Sequence, residues 1–337
     1  MKDVAELAGV SIKTVSRVVN HAPNVAPDFV EPVLAAITQL GFRPNDIART
    51  LRNGNTTSTI GLVIEDLANP FYSTIASAVA KVARRHNSSL ITESIEEDPS
   101  RERELILGLC QRRVDGLLIV SAGSDLAFLR NEIEMGTPAV FIDRPPLGLL
   151  ADTVLIDNIG GAKAGFDRLL EAGHRRIGIL LDSPSIYTMR ERMAGVQASM
   201  AASGAVFDDG LVRNGIHEPA AAAQAVADML ETTSPPTAFF CGNNRITLGA
   251  LAELWRRKSD ADLAGFDDFE TSDLMPRRLF VVGYDNRQLG QKAAELLFKR
   301  IKGDRSWPVK ETIPTRIVER GVLSIPTQPS TGERPRR

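Results

Sequence analysis

Ile12, Lys13, Ser16 and Arg17 fall on one side of the segment from Ser11 to Asn20, and Val15, Val18 and Val19 fall on the other. A helix that turns a valine stripe inward, and two cations, a hydroxyl and one apolar side chain outward, is built to meet a nucleic-acid groove and its phosphates rather than to make or break bonds. Ser11 stands where an N-cap belongs. Upstream, Val4, Ala5 and Ala8 place small apolar groups on one helical face, and Gly9 can adopt the positive φ that ends a first helix. The stretch DVAELAGVSIKTVSRVVN, Asp3 to Asn20, therefore reads as two short helices around a tight turn, a helix-turn-helix. The bland alternative is a helical hairpin inside a core.

A second set of chemically capable residues is dispersed along the chain. Asp66 and Asn69, Asp143 and Arg144, Asp157 and Asn158, Asn243 and Asn244, and Asp267 and Asp268 each follow a short apolar run. TIGLVIED, SSLITESI, VDGLLIVS, PAVFIDR, TVLIDN, RRIGILL, PTAFFCGN and LAGFDD are the strand candidates, most of them continuous apolar runs of the kind buried parallel strands show. Helical patterns alternate with them: FYSTIASAVAKVARRHN, ERELILGLCQRR, AFLRNEIEMG, GAKAGFDRLLEAG, RMAGVQASMAASG, AAAAQAVADMLE and TLGALAELWRRK. That alternation predicts α/β, doubly wound parallel sheets, in which ligands bind at the carboxyl ends of the strands. An Asp or Asn there can equally cap the next helix, and for Asp157 and Asn244 the two readings weigh the same. Arg175 and Arg176 read as a solvated helix-to-strand turn.

Around these sets the chain supplies a frame of 337 residues, enough for about two or three domains. After the helix-turn-helix comes a third helix, whose Val33, Leu34, Ile37 and Leu40 are expected to close a small core before Gly41 ends it. Pro44 then breaks the preceding structure, and DIARTLR can form barely two turns, marginal without a supporting surface. The formal charge is −2, and residues 1–55 hold six Lys/Arg against five Asp/Glu. One copy of so weakly basic a module is expected to bind DNA feebly, which implies a homodimer. Cys110 and Cys241, the only cysteines, lie in apolar segments and read as buried free thiols. No signal sequence and no apolar run near the roughly 20 residues of a membrane span is visible, so a cytoplasmic protein is expected. GxGxxG after a strand, a P-loop, a nucleophile elbow and HExxH are all missing, leaving an enzyme without candidate catalytic residues and no metal or cofactor to expect. A pure periplasmic-type sugar-binding protein is disfavoured by residues 1–52.

The ordered series DVAELAGVSIKTVSRVVN, GFRPNDIARTLR, IGLVIEDLANPFYS, RRVDGLLIV, FIDRP, DNIGGAKAG, LLEAGHRRIGIL, ERMAGV, GNNRITLGAL and GFDD closely resembles the lactose/galactose repressor (LacI/GalR-type) family of bacterial transcription regulators, from about Lys2 to about Val322. The resemblance implies a three-helix headpiece, a hinge helix and a two-subdomain sensor like a periplasmic binding protein. It implies base contacts by Ile12, Lys13 and Arg17, with Arg17 offering a fork to guanine. Phosphate contacts fall on Ser11, Thr14, Ser16 and Asn20. The hinge helix matches Asn45 to Arg52, with Asn45, Ala48 and Leu51 at the minor groove and Leu51 as the wedge. In the cleft between subdomains it implies an effector, most readily a sugar, held by Phe71, Tyr72, Asp143, Arg192, Asn243 and Asp267. Arg192 would clamp hydroxyls or a carboxylate, Asp267 would accept from sugar hydroxyls or a purine N–H, and Phe71 and Tyr72 would form a flat apolar wall.

Some positions depart from the family pattern. Ala26 and Phe29 replace hydroxyl residues near the third helix, and Pro32 falls several residues inside it, a cost of about 3 kcal/mol or a shifted helix start. Met1 begins almost on the first helix, which suggests an upstream initiation codon. Ile216, followed by His217 and Glu218, occupies the place of a stacking aromatic. The Gly-Tyr-Asp at 283–285 falls on the return crossover, so Asp285 is not expected to be a ligand. The expected organisation is a headpiece over 1–43, hinge and linker over 44–57, a first sensor subdomain of 58–156 with 283–312, a second of 157–282 with 313–327, and a disordered tail over 328–337.

Overall fold

The computed structural model describes residues 1–19, 22, 25–42, 57–123, 125–205, 207–275 and 277–321, which divide into two compact units meeting between Thr57 and Ser58. Asn20, the hinge residues Asn45, Ala48 and Leu51, and the expected tail lie outside the described residues.

In the first unit, α1 (Lys2–Leu7), α2 (Ile12–Val19) and α3 (Pro27–Leu40) surround a core of Val4, Ala5, Val15, Val18, Val33 and Ala36. Gly9, at φ +63°, makes the left-handed turn out of α1, and the Thr14 backbone N–H donates to Ser11 Oγ at 3.0 Å, closing the N-cap of α2. Two expectations for α3 need correcting. Leu34 and Leu40 are 49% and 45% exposed, because the inward face is set by Val33, Ala36 and Ile37. Pro32 does not shift the helix start: α3 begins at Pro27, where a missing N–H costs nothing, and runs through Pro32 to the left-handed Gly41.

The second unit contains two six-stranded sheets. The first lobe has β1 (Thr59–Ile64), β2 (Ser89–Ser94), β3 (Leu117–Ile119), β4 (Ala139–Ile142) and β5 (Asp152–Ile156), joined by α4 (Pro70–Arg85), α5 (Pro99–Gln111) and α6 (Leu129–Glu134). The second has β6 (Ile177–Leu180), β7 (Val212–Arg213), β8 (Ala238–Cys241), β9 (Asp262–Phe266) and β10 (Leu279–Gly283), with α7 (Asn158–Glu171), α8 (Tyr187–Ser203), α9 (Pro219–Leu230) and α10 (Asn244–Arg256). The chain then returns through α11 (Asn286–Ile301) to β11 (Lys310–Ile313) in the first sheet, and crosses once more to β12 (Arg316–Arg320) in the second.

Strand orders are β11-β5-β4-β3-β1-β2 and β12-β10-β9-β8-β6-β7, the same winding twice, with every pairing parallel except β10 with β12. All eight expected strands form, each buried on both faces or nearly so, except β2. β7, β10, α11, β11 and β12 lie outside the expected segments. LFVVG lay hidden beside the crossover, and KETI and RIVER alternate charge because they are edge strands. Gly195 lets α8 lie against α7, since a Cβ there would sit 2.3 Å from the Ile159 carbonyl oxygen.

Candidate functional site

On the headpiece, α2 turns Ser11, Ile12, Lys13 and Arg17 to the surface and half-buries Thr14 and Ser16, while Val15 and Val18 hold it to the core. Ile12 is 46% exposed, and Leu7, Phe29, Leu34 and Leu40 of the same unit are 45% to 49% exposed, so exposure alone does not distinguish it. The Ser11 and Thr14 hydroxyls are also 2.9 Å apart, so the cap and this pair share one polar corner.

In the sensor, strand carboxyl ends from both sheets converge on one cavity, and all six residues expected there line it: Phe71, Tyr72, Asp143, Arg192, Asn243 and Asp267. The remaining space is about 40 Å³, room for a water or two. A roomier cavity of about 510 Å³ lies elsewhere, at the amino end of β6. Its Arg175 and Arg176 are engaged by the carbonyls of Leu170, His174 and Ser234 and by Asp208, and ligands in wound sheets bind at the opposite strand ends.

Two aspartates mark equivalent points. Asp143 follows β4 and Asp267 follows β9, both in the left-handed region at φ +67° and +70°. Each donates its backbone N–H to the next strand, to Val154 O at 2.8 Å and Val282 O at 3.1 Å. Backbone held this way costs of order 1–3 kcal/mol and persists where the surroundings enforce it, often at functional sites.

In the second lobe, the guanidinium of Arg192, from α8, donates to both oxygens of Asp267 at 3.3 and 3.4 Å, to Asn158 Oδ1 at 2.9 Å and to the Gly242 carbonyl. It lies over the Phe266 ring, 3.7 Å from the centroid. The Tyr284 hydroxyl donates to Asp267 Oδ1 at 2.5 Å. Asp182 accepts from the Ser183 backbone N–H and pairs with His217 Nδ1 at 3.0 Å. Burial works to lower the His217 pKa, but the hydrogen bond and charge of Asp182 prevail and raise it.

In the first lobe, Arg144 forks onto Glu97 at 2.8 and 2.6 Å, reaches Glu65 Oε2 at 3.3 Å, and donates to the Ser121 carbonyl at 3.1 Å. The Tyr72 hydroxyl donates to Glu65 Oε2 at 2.6 Å. The wall expected to be flat and apolar is therefore apolar only at Phe71, which packs edge-on to Tyr72 with centroids 4.7 Å apart. Burial, then the neighbouring Glu97 charge, raise Glu65 to about 7. Glu97 is also penalised by burial, yet its bonds to Arg144 hold it below the usual carboxylate range. Burial raises Asp143.

Across the cleft, Asn244 Nδ2 donates to Asn69 Oδ1 at 3.0 Å, and Arg245 bridges Asp66 at 3.1 Å and Glu218 at 2.5 Å. Asn243, not Asn244, caps α10, accepting from the Ile246 N–H at 2.9 Å, and Asp157 caps α7. Ile216 does not take the place of a stacking aromatic. It is buried in the second-lobe core, and His217 lines the cavity instead.

A profile described as bacterial regulatory proteins, lacI family, matches residues 1–45, and one described as periplasmic binding proteins and sugar binding domain of LacI family matches 57–320. The chain belongs to the LacI family. The HTH-type transcriptional repressor PurR of Haemophilus influenzae (strain PittEE) is 31% identical to this LacI-family protein over 336 residues, covering 96% of this chain and 99% of that one. The lac repressor dimer bound to operator and the anti-inducer ONPF matches with a TM-score of 0.81 at 27% identity, covering 95% and 97%. The complex of the transcriptional regulator CelR with cellobiose matches at 0.71 and 29%, covering 95% and 98%. The relatives are transcriptional regulators, and this LacI-family chain is not an enzyme. Among its described residues no helix is long and apolar enough to cross a membrane.

Glu65, Glu97, Asp182, His217 and Arg245 also line the cavity and were missed from the sequence. Four of them were within reach of the rule that sent attention to strand ends: Glu65 follows β1, Glu97 β2, Asp182 β6 and His217 β7. Arg245 is the second helical residue beyond the Asn243 cap and carries no such signal.

Proposed function

We propose that the chain is an operator-binding repressor whose DNA affinity is set by a small metabolite, a sugar or sugar derivative, held between the two sensor lobes. The observation that carries this reading is the convergence of Phe71, Tyr72 and Asp143 from one lobe with Arg192, Asn243 and Asp267 from the other on a single polar cavity. The headpiece supplies Ile12, Lys13 and Arg17 for base edges and Ser11, Thr14 and Ser16 for phosphates, with Asn20, and Asn45, Ala48 and Leu51 at the minor groove, completing the set. Two copies on a palindromic operator offset the weak charge of one.

A sugar exceeds the space now present, so its entry must part contacts such as Asn69 to Asn244 and Asp66 to Arg245. Changing the angle between lobes is how the cleft would reset the spacing of paired headpieces, and DNA must then alter effector affinity by the same factor. A mobility-shift titration of the full chain on the upstream region of its own gene tests this. Specific, salt-sensitive binding is expected, with Arg17→Ala losing about 1–3 kcal/mol and relaxing preference at one base position. Sequence-independent binding would overturn the reading.

A further inference from the structure

Charge is distributed unevenly over the cleft. Among the described residues lining it are five carboxylates, Glu65, Glu97, Asp143, Asp182 and Asp267, against the guanidiniums of Arg144, Arg192 and Arg245 and one histidine. Arg192 is committed to Asp267, Asn158 and Gly242, and Arg245 to Asp66 and Glu218. Asp182 has His217. On the first-lobe wall Arg144 is the one cation among the described lining residues beside Glu65, Glu97 and Asp143, and its hydrogen bonds go to the two glutamates, the Ser121 carbonyl and the Tyr72 hydroxyl. Asp143 is left with Arg144 Nε at 3.8 Å from Oδ2.

The aspartate is 3% exposed, and its Oδ1 is a buried acceptor without a hydrogen-bond partner, as Arg144 Nε beside it is a buried donor without one. Buried charges are normally paired, so an orphan carboxylate oxygen lining a cavity points to a partner that arrives with the ligand. A hydroxyl alone could satisfy the oxygen, but it would leave the surplus negative charge of the wall in place. An anionic ligand would add to that surplus. A cation removes it.

We propose that the cleft takes a small polyhydroxylated amine of the amino-sugar class, its ammonium group docking on Asp143 and a hydroxyl oxygen accepting from Arg144 Nε. This rests on the cleft being the effector site. The ammonium contributes N–H donors that a carboxylate accepts at charge-assisted strength, and the polyol scaffold serves the second-lobe donors and acceptors at Asn243 and Asp267.

The test is calorimetric titration of the full chain with glucosamine, galactosamine and mannosamine, each beside its parent hexose, its N-acetyl derivative and its 6-phosphate, with gluconate and adenine as further arms. At least one amine is expected to bind about ten-fold or more tightly than its neutral parent, and Asp143→Asn should erase that preference. Asparagine tolerates the left-handed backbone, so the variant should fold, which circular dichroism checks. Equal or tighter binding of a neutral, anionic or heteroaromatic probe, failure of every amine to bind, or a preference that survives Asp143→Asn would each overturn the proposal. The outcomes separate from the regulator reading: a neutral sugar that binds and alters operator affinity removes the amine and keeps the repressor, whereas amine binding without specific DNA binding does the reverse.

Discussion

Asp143 and Asp267 occupy one position in two copies of the same winding, yet the two lobes treat them oppositely. Each follows the third strand inward from the crossover edge, each takes a left-handed backbone, and each donates its N–H to the neighbouring strand. Asp267 meets a dedicated guanidinium and a tyrosine hydroxyl. Asp143 shares one guanidinium with two glutamates and keeps an oxygen unbonded. Duplicated backbone thus fixes where a carboxylate stands, and its neighbours decide how far protein partners satisfy it.

The comparison breaks most visibly at Arg144. Arg144→Met strands three buried carboxylates and is expected to cost about 3–5 kcal/mol in urea unfolding, with an unchanged slope. A cost under about 1 kcal/mol would mean that the first-lobe wall is hydrated and the contrast false. Next, Asp267→Asn removes the charge that Arg192 and Tyr284 were arranged around and should cost about 2–3 kcal/mol.

Glu65→Gln tests the surplus charge through pH. Its carboxyl is raised from 4.5 to about 7 in the folded state. A raised carboxyl contributes its full stability below the unfolded value and loses it as pH climbs through the folded one. Wild-type stability should therefore fall between about pH 4.5 and 7, and Glu65→Gln should flatten that fall, gaining at most about 3 kcal/mol near pH 8. Identical pH profiles would remove the surplus. The smallest effect is the most pointed: Asp143→Asn should be neutral or stabilising by about 1 kcal/mol at pH 7, opposite in sign to Asp267→Asn, because burial raises Asp143. Matching signs would make the two positions alike after all.

Local rules carried far along this chain. Gly9, Ser11 and the valine stripe specified the helix-turn-helix, because a left-handed turn, an N-cap and a 3.6-residue period are properties of a few consecutive residues. Apolar runs with polar ends located every strand of the first five-strand winding and directed attention to Asp143, Asn243 and Asp267. What escaped was edge, long-range or, at LFVVG, a plain apolar run beside the crossover. KETI and RIVER gave no apolar signal, and Leu34 and Leu40 look like core by composition although the helix phase points them outward. His217 was masked by Ile216, whose type drew the eye while its position sent it into the core.

The sequence by itself determined the helix-turn-helix, the doubly wound α/β class and the strand ends where a ligand would sit, since periodicity, capping and patterning are written locally; two subdomains were what the family resemblance implied. Tertiary structure alone decided the electrostatics of the cleft. Glu65, Glu97 and Arg144 are separated by tens of residues, and only closure of the sheet brings them within hydrogen-bond reach. Burial then raises the free energy of each unpaired charge, so the aspartate at this position has protein partners in one lobe and an unbonded oxygen in the other.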